Sequence, residues 1–148
     1  MQQQDPNYGS HQEPRLTQVS VGMSAQDERT WSMLAHLSVL LDIVTGIGGP
    51  IAALVIWLVY KDKSQRVAFH ALQSLWYQVA WIVILAVGWF VTAILSLIFI
   101  GLLLIPVMLV ATVVPFVHQC YAAYKVYQGV DYRYPIIADM IDGGRRAA

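Results

Sequence analysis

Residues 67–124 read VAFHALQSLWYQVAWIVILAVGWFVTAILSLIFIGLLLIPVMLVATVVPFVHQCYAAY, 58 positions without an Asp, Glu, Lys or Arg. As continuous helix this run would extend about 87 Å at 1.5 Å per residue. A bilayer's hydrocarbon core is about 30 Å thick and takes about 20 residues per span. The stretch must therefore hold two spans and a turn. The whole chain agrees, with 57% hydrophobic and 12% charged residues. A soluble domain has about half apolar and a quarter charged residues. These features specify an all-α integral membrane protein.

Working outward, residues 31–44 form a further apolar run, broken by Gly46, Gly48, Gly49 and Pro50. Ser24-Ala-Gln-Asp27 ahead of it has the form of a capping box. A short second helix is expected over 50–60. At about 17 Å it is too short to cross alone. The first two helices are read as thin, tilted spans, with a re-entrant hairpin as the alternative. A third helix is expected from residue 64 or 65 to about 99, and an uncharged turn over 101–106. A fourth helix over 106–127 is expected to kink at Pro115. The fold class is thus about four transmembrane helices, the first two thin or hairpin-like.

Three segments follow. Residues 1–23 are rich in Gln, Pro, Ser and Gly and are expected to form a disordered cytoplasmic tail. Residues 24–128 form the four-helix membrane domain, and 129–148 a cytoplasmic or interfacial C-terminal segment. Within the latter, Tyr132-Arg-Tyr-Pro135 suits the headgroup layer, 136–141 a short amphipathic turn, and Gly143 to Arg146 a frayed end. The first 20 residues have no apolar core of a signal peptide, so the hydrophobic segments are expected to remain in the mature protein.

The charge pattern orients these segments. In a four-span arrangement all nine Lys and Arg residues fall on one side, and loops 45–49 and 100–105 contain none. Basic residues mark the cytoplasmic face. The expected location is the bacterial plasma (inner) membrane, multi-pass, with both termini cytoplasmic. Zero net charge gives no sign of nucleic acid as a partner, and the single Cys120 cannot form an internal disulfide.

A 100° step per residue puts His70, Gln73, Ser74, Tyr77, Trp81, Gly88, Thr92 and Ser96 on one broad face of the third helix. Small and hydrogen-bonding residues are what membrane helices use to pack together, so the face reads as a helix-packing seam. The sharper alternative is a polar pathway. His36, His70 and His118 all lie about 6–10 Å from the basic side, near Gln73, Gln119 and Cys120. Metal binding and proton relay are the sharp readings of that layer. No His pair stands at i, i+4 and no HExxH or CxxC exists. Interhelical hydrogen bonding is therefore expected, with no metal and no cofactor. The seam comprises His36, His70, Gln73, Ser74, Tyr77, Gly88, Thr92, His118 and Gln119. Asp42, the only acid near the far side, reads as a cap on the glycine-rich bend or an interfacial acid, with ion entry as the alternative. Gly46-Ile-Gly-Gly49 lacks the Lys-Ser/Thr of a phosphate loop. No catalytic constellation exists, and the chain is not expected to be an enzyme.

Four blocks resemble a known family: Glu28-Arg-Thr-Trp-Ser-Met-Leu-Ala-His-Leu-Ser38; Gly49-Pro50 leading into Ile56-Trp-Leu-Val-Tyr-Lys-Asp62; Arg66-Val-Ala-Phe-His-Ala-Leu-Gln73; and Gly129-Val-Asp-Tyr-Arg-Tyr-Pro135. They are similar to small bacterial four-helix membrane proteins related to the Tic-twenty subunit of the chloroplast inner-envelope translocon, a domain of unknown function. The resemblance covers about residues 27–141 and implies a link to transport or protein translocation. The function expected is a membrane-embedded interaction or accessory subunit. The alternative is a small-solute or ion pathway formed by a homo-oligomer. The expected partners are the lipid bilayer and other membrane proteins or further copies of the chain.

Overall fold

The computed structural model describes residues 22–146, with side chains to residue 144, and every regular element in it is helical. The tail expected over 1–23 lies almost wholly outside the described residues. Helix α1 (Ala25–Leu37) begins where Ser24 Oγ accepts the Asp27 N–H at 3.1 Å. Asp27 and Glu28 then sit at the positive end of its dipole. The chain continues through a 3-10 turn (Ser38–Leu41) into the short α2 (Asp42–Thr45). Gly46 turns it with φ +80°, a left-handed value that a Cβ disfavours, and α3 (Gly48–Tyr60) returns. Asp42 Oδ1 accepts the Gly49 N–H at 2.7 Å, so Asp42 caps the start of α3.

Ser64 caps α4 (Gln65–Ser96), accepting the Val67 N–H, and its hydroxyl donates to Glu28 at 2.6 Å. That bond joins the first turns of α1 and α4. Helix α5 (Ile100–Tyr127) runs back beside α4, and α6 (Pro135–Arg146) packs on the start of α4, near Phe69. Helix α4 packs on α1, α3 and α5, and α5 packs on α1.

Among the described residues, only α4 and α5 are both long and apolar enough to cross a membrane, and α3 is a shorter apolar helix. Of the four transmembrane helices expected, two are candidate spans by length and composition. Their most apolar windows are 6% and 11% buried, whereas the core helix of a soluble protein is mostly covered. Phe90, Leu103 and Val110 point outward, 67%, 78% and 68% exposed. Lipid is the solvent that suits such faces.

Three boundaries differ from the sequence expectation. The turn between the long helices is at 97–99, not 101–106, and residues 101–106 are helical. Phe99 makes the reversal with φ 66°, and Gly101 lies directly on the backbone of Ser96 and Thr92, so its role is close approach. Pro106 and Pro115 both sit inside α5. Next, residues 143–146 are not frayed but complete α6. Last, the segment after residue 128 packs against the helical core. Tyr134, Ala138 and Ile141 are buried, the latter two against Phe69. Arg133 lies 5.2 Å over the Phe69 ring and pairs with Asp142.

Candidate functional site

The most polar part of the interior is a layer near the basic end. Ser32, His36, His70, Gln73, Ser74 and Gln119 are each 0% exposed, and Gln78 is 2%. Burying so many hydrogen-bonding groups is costly unless each finds partners. The residues at hand supply most of them.

Three elements are joined through two imidazoles. His36 Nε2 on α1 is 3.2 Å from His70 Nδ1 on α4. His70 Nε2 is 3.3 Å from Asp131 Oδ1, which also pairs with Arg66 Nε at 2.8 Å. At the other end the Tyr134 hydroxyl is 3.3 Å from His36 Nδ1. A carboxylate only accepts, so neutral His70 carries its proton on Nε2 and accepts on Nδ1. His36 then donates from Nε2 and accepts from Tyr134. Burial pushes the Tyr134 hydroxyl far above the usual phenol range, which keeps it a donor. All three hydrogen bonds therefore point toward Asp131.

Gln73 fastens the same C-terminal segment by its backbone. Its Nε2 donates to the Tyr132 carbonyl at 3.0 Å, and its Oε1 accepts the Tyr134 N–H at 3.1 Å. One side-chain amide thus stands in for a neighbouring strand. Tyr132 is half-buried and Tyr134 is buried against the protein, at 2% exposure. Tyr134 stacks on Tyr77 at 4.3 Å between centroids. His118 bridges Tyr77 and Tyr132, with its nitrogens 2.7 and 2.6 Å from the two hydroxyls.

One helical turn further in, Ser74 donates to the Ala35 carbonyl at 2.7 Å and approaches Gln119 Oε1 at 2.8 Å. Gln78 Nε2 reaches Ser38, Ser74 and Gln119 Oε1. This leaves Gln78 Oε1 and Gln119 Nε2 buried without a protein partner.

The structure therefore brings His36, His70, Gln73, Ser74, Tyr77, His118 and Gln119 into one layer. Gly88 and Thr92 lie elsewhere: Gly88 faces Met108 of α5, and Thr92 donates to the Gly88 carbonyl within its own helix. Gln78, Ser38, Asp131 and Tyr134 belong to the layer but not to the seam read from the sequence. Gln78 offered a signal, a second Gln in the charge-free run four residues after Ser74. Among the described residues no group of three or more His, Cys, Asp or Glu side chains is placed to hold a metal. Chemically the arrangement is a lock. It holds α1, α4, α5 and the C-terminal segment together.

Comparison with known proteins changes the family reading. No curated protein and no solved structure matches the chain. A family model described as the magnetosome magnetite crystal formation protein family matches residues 27–141. All four sequence blocks and the whole lock fall inside that span. The resemblance to the translocon-related family is overturned by this match, and the link to protein translocation goes with it. From α1 to the middle of α6, the chain belongs to the MamF/MmsF family of magnetosome magnetite crystal formation proteins.

Proposed function

We propose that the chain is a non-catalytic, multi-pass subunit of the magnetosome membrane that supports magnetite crystal formation by binding other membrane proteins there. The observation that carries this reading is the family match, which covers the helical core from residue 27 to residue 141. The use of the polar layer supports the non-catalytic part. Its imidazoles and most of its amide groups are engaged in holding the fold together. Apolar side chains remain outward on α4, α5 and α6, among them Ile136 and Met140 at 85% and 52% exposure. Neighbouring helices can pack on such faces in a bilayer.

In this reading α1 to α2 crosses as a first thin span, since residues 25–45 extend about 30 Å as helix. Helix α3 returns as a second, thinner one. Arg29, Lys61, Lys63, Arg66, Lys125 and Arg133 then share the cytoplasmic side with both termini. The bend at Gly46 and the turn at Phe99 face the compartment where the crystal forms.

The test is deletion of the gene in a magnetite-forming host, with electron microscopy of the crystals. Crystals altered in size or shape are expected, restored by the wild-type chain. Normal crystals, or a chain missing from purified magnetosome membranes, would refute the proposal. Crosslinking in those membranes separates partners: mixed complexes are expected, and a homo-oligomer alone would refute the partner assignment.

A further inference from the structure

Helix α6 and the segment leading into it leave a cleft of about 290 Å³ against the first turns of α4. Gln65, Arg66, Phe69, Asp131, Arg133 and Asp142 line it, together with His70. Two arginines and two aspartates make its charged lining neutral overall. The cleft lies at the end where the basic residues gather, since Gln65 and Arg66 open α4. Its ion pairs leave bonding capacity unused. Arg66 pairs through Nε with Asp131 Oδ1 at 2.8 Å and donates from Nη2 to the Gly129 carbonyl, which leaves Nη1. Arg133 meets Asp142 through Nη2 and lies over the Phe69 ring, with its side chain 48% exposed. Asp131 Oδ1 takes both Arg66 and His70, and Oδ2 takes neither, on a side chain that is 62% exposed.

A lining with two positive and two negative groups repels a simple anion as much as it attracts it, and the same holds for a simple cation. A ligand that carries both charges a few bonds apart can meet each with its opposite. A guanidinium binds phosphate through paired N–H donors, and a carboxylate accepts from an ammonium. The cleft also has an apolar continuation. Gln65, Phe69, Leu72, Trp76, Val79 and Val83 fall within about 80° of one another on the α4 wheel at 100° per residue. Trp76, Val79 and Val83 are 46%, 36% and 57% exposed. This stripe runs from the cleft into the apolar length of α4. Charge pairs at one end, with an uncovered apolar track leading away from them, match one class of molecule: a lipid with a zwitterionic head.

We propose that this cleft holds the headgroup of a phospholipid that carries both a phosphodiester and a primary ammonium. The phosphate lies against Arg133 and Arg66 Nη1, the ammonium donates to Asp131 Oδ2, and an acyl chain follows Trp76, Val79 and Val83. The ammonium must be primary, because a quaternary one has no N–H to give Asp131. The site rests on the membrane reading of α4 and not on the protein partners proposed above.

Native mass spectrometry of the full chain, released from detergent with one added lipid at a time, reads retention. Phosphatidylethanolamine should be retained about tenfold better than phosphatidylcholine, the step that one charge-assisted hydrogen bond supplies. Phosphatidylglycerol, which has the phosphate without the ammonium, should also fall behind. Arg133→Gln should lower the retention of phosphatidylethanolamine. Asp131→Asn should erase its preference over phosphatidylcholine while keeping an oxygen for the His70 N–H, so circular dichroism should stay near wild type. Water-soluble glycerophosphoethanolamine separates head from tail. It lacks the chain that follows the apolar track, so it should fail to displace the lipid at equal concentration. Displacement at equal concentration would assign the cleft to a free zwitterion and overturn the lipid. Equal retention of the three lipids by the wild-type chain would overturn the site whatever the variants do, as would a preference for phosphatidylethanolamine that survives Asp131→Asn.

Discussion

Gln73 holds Tyr134 by the backbone, its Oε1 3.1 Å from the Tyr134 N–H, across 61 positions of sequence. The same amide donates to the Tyr132 carbonyl. A polar side chain deep in α4 thus decides where the C-terminal segment lies. Gln73→Leu would leave both backbone groups unpaired, at a cost of about 1–3 kcal/mol for each buried group. The expected result is a lower melting temperature and faster hydrogen exchange over residues 130–141, with little change in peptides from α5. Unchanged exchange in that segment would show that Gln73 does not fasten it.

The two buried imidazoles should behave as a unit. His36 and His70 are bonded to each other, so removing either leaves the other short of a partner. His36→Ala and His70→Ala should each destabilise the chain, and the double variant should lose less than the sum. A coupling of about 0.5–3 kcal/mol is expected for residues in one network. Additive losses in chemical denaturation of the four proteins would mean that the bond contributes nothing of its own.

Much of this layer could be read from the sequence, for a local reason. His70, Gln73, Ser74 and Tyr77 repeat at helical spacing inside an apolar run, and polar groups there must face protein. Gln78 was passed over although it lies about 80° from His70 on an ideal helical wheel, the same flank as Ser96, which the face included. The partners of the face were not readable. Asp131, Tyr132 and Tyr134 are about 60 positions away, and a Tyr-Arg-Tyr-Pro segment has the composition of a headgroup anchor. The hydrogen bonds to Gln73 and His36 and the stack on Tyr77 bring Tyr134 into the core. The turn between α4 and α5 was misplaced for a related reason. Gly101 reads locally as a breaker, but its missing side chain serves contact with the α4 backbone.

Topology is open to direct labelling. Cys120 is replaced by Ser, and single cysteines are placed at Asp62, on the basic side, and at Ile47, beside the Gly46 bend. In intact isolated magnetosomes an impermeant maleimide should label Asp62→Cys and spare Ile47→Cys until detergent is added. The reverse pattern would invert the orientation. Labelling of both would mean that α1 to α3 form a hairpin that does not cross.

Two glycine contacts between the two long helices supply the last test. A Cβ on Gly101 would meet backbone atoms of Thr92 and Ser96, which cannot move without opening the turn. A Cβ on Gly88 would meet only the Sδ and Cε of Met108, the mobile end of a flexible side chain. Gly101→Ala should therefore be the more damaging change. Overpacking of this kind costs about 1–3 kcal/mol where the neighbour is fixed. Gly88→Ala should be absorbed by a new Met108 rotamer. Melting of the two variants in one detergent gives the comparison. Equal melting temperatures would show that the α4–α5 turn yields as easily as a methionine side chain, contrary to the contact at Gly101.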